Sequence, residues 1–531
     1  MEPLKHPKSL REFIDDLAAI GEVQPIEKEV DWNLEIGAVA RRTYELRAPA
    51  PLFTTITGIE KGFRVLSAPG GLSAQPGLTY SRIALALGLP AGTGGADIVT
   101  ALADARQREP VPPRVVDASE APCKENIMKG DEVDLLKFPT PLIHDGDGGR
   151  YIQSYGMNIA KTPDGSWTNW SVNRMMLVDR NRLACLIPPP QHLGIIRALW
   201  EKRGEDLPIA VALGVEPALP YVGGMPLPEG DDEAHFLGGY FGEGLELVPA
   251  ETVDLLVPAT AEIVIEGRVS LTDVADEGPM GEYPGYLDRG SHSPKPVLHV
   301  TAVTYRDDAI LPVAVAGAPV EEDHTGWGLP HAAEMTYVLR EGRLPVSACW
   351  GVLESAAHWW VVALRPDWHE VSGLTSQQMA RRVGEVVFGA GKLAFGVPKL
   401  VLVEHDFDIA DPAQLIWAFA SRAHPEHGEE HFENQPQNII PVYLDEHERL
   451  SYHATKVVYN CLLADRFPAD QRPVASDFAH NWPAEVRQRV LANWQEYGFR
   501  PAAPAAGSAG SADSAGCAGS AGSGDNSGGE R

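Results

Sequence analysis

Between residues 151 and 187 the chain carries three apolar-alternating runs, YIQSYGMNIAK, SWTNWSVNRMMLV and LACLI, separated only by the turn tetrapeptides TPDG and DRNR. Such connections are too short for a helical crossover, so consecutive strands have to fold back antiparallel. The spacing predicts a three-stranded meander. Further along, VLHVTAVTY and ILPVAVAG, joined by RDDA, read as another strand pair. Several short strands without intervening helices point to a barrel or closed sheet.

The flanks obey a different period. Ser9 with Glu12 three residues on forms a capping-box pattern ahead of a helix whose Leu10, Phe13, Ile14 and Leu17 share one face, and Gly21 can end it. LEIGAVARRTYEL and SRIALALGL read as further helices. The Pro-rich VPPRVVDASEAP, 111–122, marks a boundary. After about residue 330, HAAEMTYVLREG and SQQMARRVGEVVF read as helices, KLVLVEHDFDI as a strand, and DPAQLIWAFASR as a helix capped by Asp411. The expected class is α/β (α+β): an N-terminal α/β domain over 1–115, a central split β-barrel over 116–328, and a C-terminal α/β domain over 329–501. The Ala/Gly/Ser tail, 502–531, has nothing to bury and is expected to be disordered.

Charge excludes one class of partner. A net charge of −29 over 531 residues leaves no basic surface for nucleic-acid phosphates. Five scattered cysteines, none in a CxxC pair, favour a reducing compartment over a disulfide framework or zinc-thiolate site. MEPLKHPKSLREF lacks an apolar signal core and no apolar run approaches a membrane span, so a cytoplasmic location is expected.

Several segments carry polar groups in unusual settings. DEGPMGEYPGY, 276–286, sets Glu277 and Glu282 on a frame of three glycines and two prolines. Two glutamates in a turn are ordinarily solvated; a stiff frame holding a carboxylate pair also suits acid–base chemistry. TNWSVNRMM holds Asn169, Ser171, Asn173 and Arg174 in an otherwise apolar strand. Alternation puts Asn169 and Arg174 on opposite faces, so a shared site requires a bulge or bend. PPPQHLG offers Gln191 and His192, and in YVGGMPLPEGDDEAHF, Gly223 and Gly224 would admit a phosphate close to the backbone, ahead of Glu233. FGAGKLAFG has no Ser or Thr after Lys392 and is not a Walker A loop. HPEHGEEHF lacks metal-ligand spacing and reads as a solvated loop.

Taken in order, DGGRYIQSYGMNIAKTPDGSWTNWS, PPQH, MPLPEG followed by Glu233, EGPMGEYPGY and LIWAFASR resemble the UbiD family of prenylated-FMN-dependent decarboxylases, most of all its ferulic/cinnamic acid branch. The resemblance runs from the first helix to about residue 500. It implies that Asn169, His192 and Glu233 hold Mn2+ (or Mg2+) against the cofactor phosphate, with K+ nearby. It further implies cofactor contacts from Ser171, Val172, Asn173, Arg174, Gln191, Gly223, Gly224, Met225, Pro226 and Lys392. The implied catalytic trio is Arg174, Glu277 and Glu282, with Glu282 as proton donor and Glu277 as partner to Arg174. In family terms the cofactor adds to the substrate double bond by dipolar cycloaddition, and loss of CO2, protonation and cycloelimination follow. A flavin prenyltransferase would supply the cofactor, and a homodimer or higher assembly through the C-terminal domain is implied.

The substrate pocket departs from the cinnamic acid branch. Pro188, Trp327 and Gln437 stand where aliphatic or phenyl side chains are expected, and Phe395 replaces a tyrosine; Tyr283 and Ile439 complete the lining. One bulky aromatic wall and one added hydrogen-bonding group are consistent with a heteroaromatic or hydroxylated acid. Alternatives are an aliphatic, polyketide-derived unsaturated acid under the same chemistry, a flavin oxidoreductase, for which no GxGxxG fingerprint is evident, and a non-catalytic subunit.

Overall fold

In the computed structural model the described residues are 4–500, so the tail expected to be disordered lies outside them. The first helix, Leu10–Ala19, buries the expected Leu10, Phe13, Ile14 and Leu17. Only half of the predicted box forms. Ser9 Oγ accepts from Glu12 N, but the Glu12 carboxylate accepts from Lys8 N and not from Ser9 N. The helix covers a four-stranded sheet ordered Val23–Ile26, Ala50–Phe53, Arg64–Ser67, Ile310–Val313. That last strand corrects one expectation. Ile310–Val313 does not pair with the strand preceding it but runs parallel to Arg64–Ser67, carrying the chain out of the central sheet into the N-terminal one.

The central sheet has nine strands, and its order explains the curl. It runs Tyr151–Gln153, Met175–Leu177, Arg182–Cys185, Ser293–Tyr305, Ile263–Glu277, Leu207–Leu213, Gly156–Lys161, Thr168–Ser171, with Asn126–Lys129 paired to the far end of Ser293–Tyr305. Tyr151–Gln153 lies at one edge and Gly156–Lys161 next to the other, yet only Ser154 and Tyr155 separate them in sequence. The sheet must therefore roll until its edges meet, as an open barrel. Along Leu207–Leu213 the period-2 pattern divides the two faces. Leu207, Ile209, Val211 and Leu213 enter one core, and Ala210 and Ala212 the other. The expected meander is corrected by the same order. SWTNWSVNRMMLV breaks after Ser171, and its halves belong to hairpins at opposite edges of the sheet.

The long helix Glu322–Glu341, capped by Glu321, runs across position 328 and links the barrel to the C-terminal layer. That layer is a five-stranded sheet ordered Val346–Gly351, Trp359–Leu364, Lys399–Val403, His453–Asn460, Glu429–Pro436, parallel at its centre. Helices Ser376–Phe388 and Pro412–Arg422 form as expected, the latter capped by Asp411. HPEHGEEHF is only half a loop: Glu429–Phe432 pairs antiparallel with His453–Asn460.

On that strand Lys456 is fully buried, its Nζ donating to Ala394 O and lying 5.4 Å from the Phe388 ring centroid. Burial away from any carboxylate pulls the ammonium down to about 7 from the usual 10.5. Between those values the unfolded chain binds more protons, so stability rises with pH across the window, by up to about 1.4 kcal/mol per unit. Lys456→Met should therefore melt above the parent at pH 6.5, with the gap closing toward pH 10.5; thermal unfolding at both pH values checks this.

Candidate active site

The break in the middle run is what assembles the site. Thr168–Ser171 ends against Gly156–Lys161, Met175–Leu177 begins against Tyr151–Gln153, and Val172, Asn173 and Arg174 cross between the two edges. Asn158 Nδ2 donates to Asn173 O at 2.8 Å and pins the crossing. The alternation that would have set Asn169 and Arg174 on opposite faces is interrupted there.

Arg174 projects toward the tip of the longest hairpin. Glu277 is the last residue of Ile263–Glu277, in register with Ser293, so DEGPMGEYPGY opens the connection between the two longest strands. Arg174 Nε donates to Glu277 Oε1 at 2.8 Å and Nη2 to Glu277 Oε2 at 3.3 Å, while Nη1 donates to Glu282. Tyr151 Oη also donates to Glu277 Oε1, at 2.8 Å. Glu282 is shaped by its own turn: its N–H donates to Tyr286 O and its carbonyl accepts from Gly285 N. The carboxylates differ in exposure. Glu277 is 1% exposed and Glu282 23%, so the first is a fixed partner and the second reaches the open volume. Burial opposes the guanidinium charge, but Glu282 and then Glu277 outweigh it, and the Arg174 pKa is raised.

A cavity of about 460 Å3 opens beside the trio. Its other end is polar. Ser171, Asn173, Gln191, His192 and Lys392 line it, with Val172, Gly223 and Gly224. Behind that wall Asn169 Nδ2 donates to Glu233 Oε1 and Trp170 N to Glu233 Oε2, both at 2.8 Å, and Lys392 Nζ lies 3.8 Å from Glu233. Burial raises the Glu233 carboxyl and lowers the Lys392 ammonium. Burial, then Lys392, brings His192 down to about 3, so its imidazole is neutral at pH 7. Asn169 Oδ1, Ser171 Oγ, Asn173 Oδ1 and His192 Nδ1 are buried without a hydrogen-bond partner among the described residues. Each such atom costs about 1–3 kcal/mol unless a ligand satisfies it. The set of a carboxylate, an amide oxygen and a neutral imidazole fits a hard divalent cation, and the lysine and hydroxyl beside it fit an anion bound to that cation. Among the described residues no group of three His, Cys, Asp or Glu is clustered as a metal site; Asn169 would supply an amide oxygen here.

Other predicted residues fall as follows. Pro188, Tyr283, Trp327, Phe395 and Ile439 line the cavity. Trp327 Nε1 donates to His331 one turn along the same helix, and its ring lies edge-on to Tyr283 at 5.0 Å. Gln437 does not line the cavity, which corrects its assignment: its amide donates to Asn438 O at 3.0 Å. Asn438 faces the volume instead, donating to Tyr283 Oη at 3.2 Å. Met225 and Pro226 are likewise absent from the lining, although Met225 O accepts from Lys392 Nζ at 3.3 Å. Gly223 and Gly224 border the volume but are also demanded by packing, since a Cβ would stand 2.3 Å from Met157 Cε and 2.7 Å from Gly326 O respectively.

Residue-level reading missed Asp323, in an EED run at the start of Glu322–Glu341. Its neighbours have other partners: Glu322, which also borders the cavity, accepts from Tyr44 Oη and Gly70 N, and one oxygen of Glu321 accepts from Asp323 N. Asp323 lines the cavity, and burial followed by the charge of Glu321 raises its carboxyl well above the ordinary range.

Three family models cover most of the chain: the 3-octaprenyl-4-hydroxybenzoate carboxy-lyase N-terminal domain at 14–102, its Rift-related domain at 114–319 and its C-terminal domain at 324–461. A pyrrole-2-carboxylic acid decarboxylase of Pseudomonas aeruginosa is 45% identical over 93% of this chain and 98% of its own. Ferulic acid decarboxylase 1 of Saccharomyces cerevisiae is 35% identical over 94% and 100%. Among solved structures, the UbiD-class enzyme HmfF from Pelotomaculum thermopropionicum in complex with FMN superposes with a TM-score of 0.74 at 28% identity, covering 88% of this chain and 97% of that one. An evolved dimeric form of the same enzyme, in complex with prFMN, gives 0.73 at 27%, over 90% and 100%. No helix among the described residues is long and apolar enough to cross a membrane. The three matched segments, the full-length relatives and the shared architecture establish that this chain belongs to the UbiD family of carboxy-lyases.

Proposed function

We propose that this protein catalyses non-oxidative, reversible decarboxylation of an aromatic, heteroaromatic or other α,β-unsaturated acid, and that its preferred substrate is a heteroaromatic acid bearing a ring N–H, of the pyrrole-2-carboxylate kind. The observation that carries the reaction class is the clamping of Arg174 between Glu277 and Glu282 at one end of a cavity whose other end presents unpaired polar atoms. The relative at 45% identity, a pyrrole-2-carboxylic acid decarboxylase, supports the substrate class. So does Asp323, a cavity carboxyl able to accept from a ring N–H.

Prenylated FMN, when bound, would supply the electron sink for the carbanion character left by departing CO2, which no side chain in the cavity can provide. Asn169, His192 and Glu233 would hold Mn2+ or Mg2+ against its phosphate, with K+ close by. Lys392, Ser171, Asn173 and Gln191 would supply polar contacts. A flavin prenyltransferase would deliver the cofactor, and a homodimer or larger assembly is the expected working form.

The protein's own residues then have separable tasks. Arg174 orients the substrate carboxylate, and Glu277, with Tyr151 behind it, fixes Arg174. Glu282, the more exposed carboxyl, delivers the proton to the carbon that has lost CO2. Trp327, held by His331, forms the flat wall that limits ring size.

Glu282→Gln should retain flavin, read from the absorbance spectrum, while turnover falls 100-fold or more; near-normal turnover would remove the donor. His192→Ala should lower bound divalent metal, measured by elemental analysis, and weaken flavin retention on gel filtration; full loading of both would refute the ligand set. Asp323→Ala should raise KM for pyrrole-2-carboxylate about 10-fold, as expected for a lost hydrogen bond to a buried donor. It should leave furan-2-carboxylate, which lacks the N–H, nearly unchanged. Equal losses on both acids would count against N–H recognition.

A further inference from the structure

The loop carrying Glu282 is joined to a second glycine-rich segment, DGDGGR, 145–150, that the reaction chemistry does not use. Gly281 N, one residue before Glu282, donates to Asp147 Oδ1 at 3.0 Å. Gly148 N donates to Pro279 O at 2.7 Å. The two segments are also too close for side chains: a Cβ on Gly148 would lie 1.9 Å from Gly278 O, and a Cβ on Gly281 would lie 2.6 Å from the His144 ring. The same seam continues past Glu282, where a Cβ on Gly146 would meet Leu287 Cδ2 at 3.1 Å.

Asp147 is the centre of this seam. Its side chain is fully buried, and besides Gly281 N its carboxylate accepts from His144 N at 2.9 Å and meets His144 Nδ1 at 3.0 Å. A buried carboxylate with three nitrogen partners is fixed in place. Glu282 has no such fixation of its own. Its carboxylate meets only Arg174, and its backbone only its own turn through Tyr286 and Gly285.

We propose that Asp147 is a positioning residue for proton delivery: through the Gly281 N–H it fixes the backbone from which Glu282 reaches the reacting carbon. Asp147 touches neither substrate nor the reacting atoms, and the inference rests on Glu282 being the proton donor. A displacement near 1 Å at the donor is enough to cost about 100-fold in rate, and loss of a buried acceptor at the adjacent peptide gives the loop that freedom.

The test uses the flavin-loaded enzyme and two readouts, steady-state decarboxylation and solvent exchange. The donor that protonates carbon in the forward direction removes that proton in reverse, so deuterium uptake into the decarboxylated product in D2O reports proton transfer apart from CO2 loss. Asp147→Ala should lower kcat and exchange together, 10- to 100-fold, with KM and flavin content held. Asp147→Asn keeps an oxygen for Gly281 N but loses the acceptor for His144 N, so it should recover most, not all, of both losses relative to Asp147→Ala. If Asp147→Ala does not fold, Gly281→Ala attacks the seam from the other side and should show the same split. The proposal is overturned if Asp147→Ala, or Gly281→Ala in its place, leaves kcat and exchange intact. It is equally overturned if KM and flavin content move with kcat and Asp147→Asn is no better than Ala, the pattern of general disruption. Glu282→Gln run in parallel separates the premise from the inference: if it retains exchange the donor assignment fails, whereas its loss beside an unaffected Asp147→Ala condemns the seam alone.

Discussion

A single guanidinium organises this site. Arg174 is nearly withdrawn from water, and a charge in that position is stable only if its donors are matched. Glu277 takes two of them in a fork and Glu282 takes a third, so the arginine is both compensated and aimed. The fork to Glu277 also accounts for Tyr151, whose hydroxyl meets one oxygen of that buried carboxylate. What the arrangement leaves free is the less buried Glu282 and the cavity beside it. Under the proposed function an incoming substrate carboxylate competes with Glu282 for the same guanidinium, so substrate binding and release of Glu282 from Arg174 are coupled.

This depends on sheet topology. Arg174 can face the hairpin tip only because the strand that starts at Thr168 ends at Ser171, and the chain crosses from one edge of the rolled sheet to the other before pairing again at Met175. Had SWTNWSVNRMMLV run as one strand, the polar end of the cavity and the end holding Arg174 with its two glutamates would have fallen on opposite faces. The Asn158 bond to Asn173 O supplies a partner for a carbonyl that the sheet no longer serves, so the break is satisfied internally.

Local features of the fold were legible from the residues alone. Helices declared themselves through caps and period, as Ser9 and Asp411 show. Strand existence was legible too, but strand partnership was not, because pairing is decided by distant chain. Ile310–Val313 satisfies the alternation of a hairpin partner and still leaves for the N-terminal sheet, where Arg64–Ser67 offers a parallel edge. The pocket shows the same limit at finer scale. Gln437 and Asn438 are adjacent amides, and which one faces the cavity is set by a backbone placement that composition does not carry; the side chain that turns away bonds its neighbour's carbonyl. Asp323 was invisible for another reason. In an EED run at a helix start each carboxylate has a sufficient local explanation as a cap or dipole partner; the fold instead uses Glu321 as the cap, ties Glu322 to Tyr44 and Gly70, and leaves Asp323 at the cavity with no side-chain partner of that kind.

The loop carrying Glu282 shows how rigidity reaches a segment with no regular structure. Residues 278–292 connect two long strands, and a hairpin connection of that length should wander. Here it is held from outside the hairpin: by Arg174 from the strand crossing, by His324 donating to Tyr283 O from the long helix, and by the DGDGG segment along its first turn. Each hold comes from a different element, so the position of Glu282 is a joint property of the barrel, the bridging helix and the glycine seam. The glycines are what allow backbone to lie directly on backbone there. Stiffness in this loop thus comes from contact too close for side chains, and Glu282 inherits it without being buried.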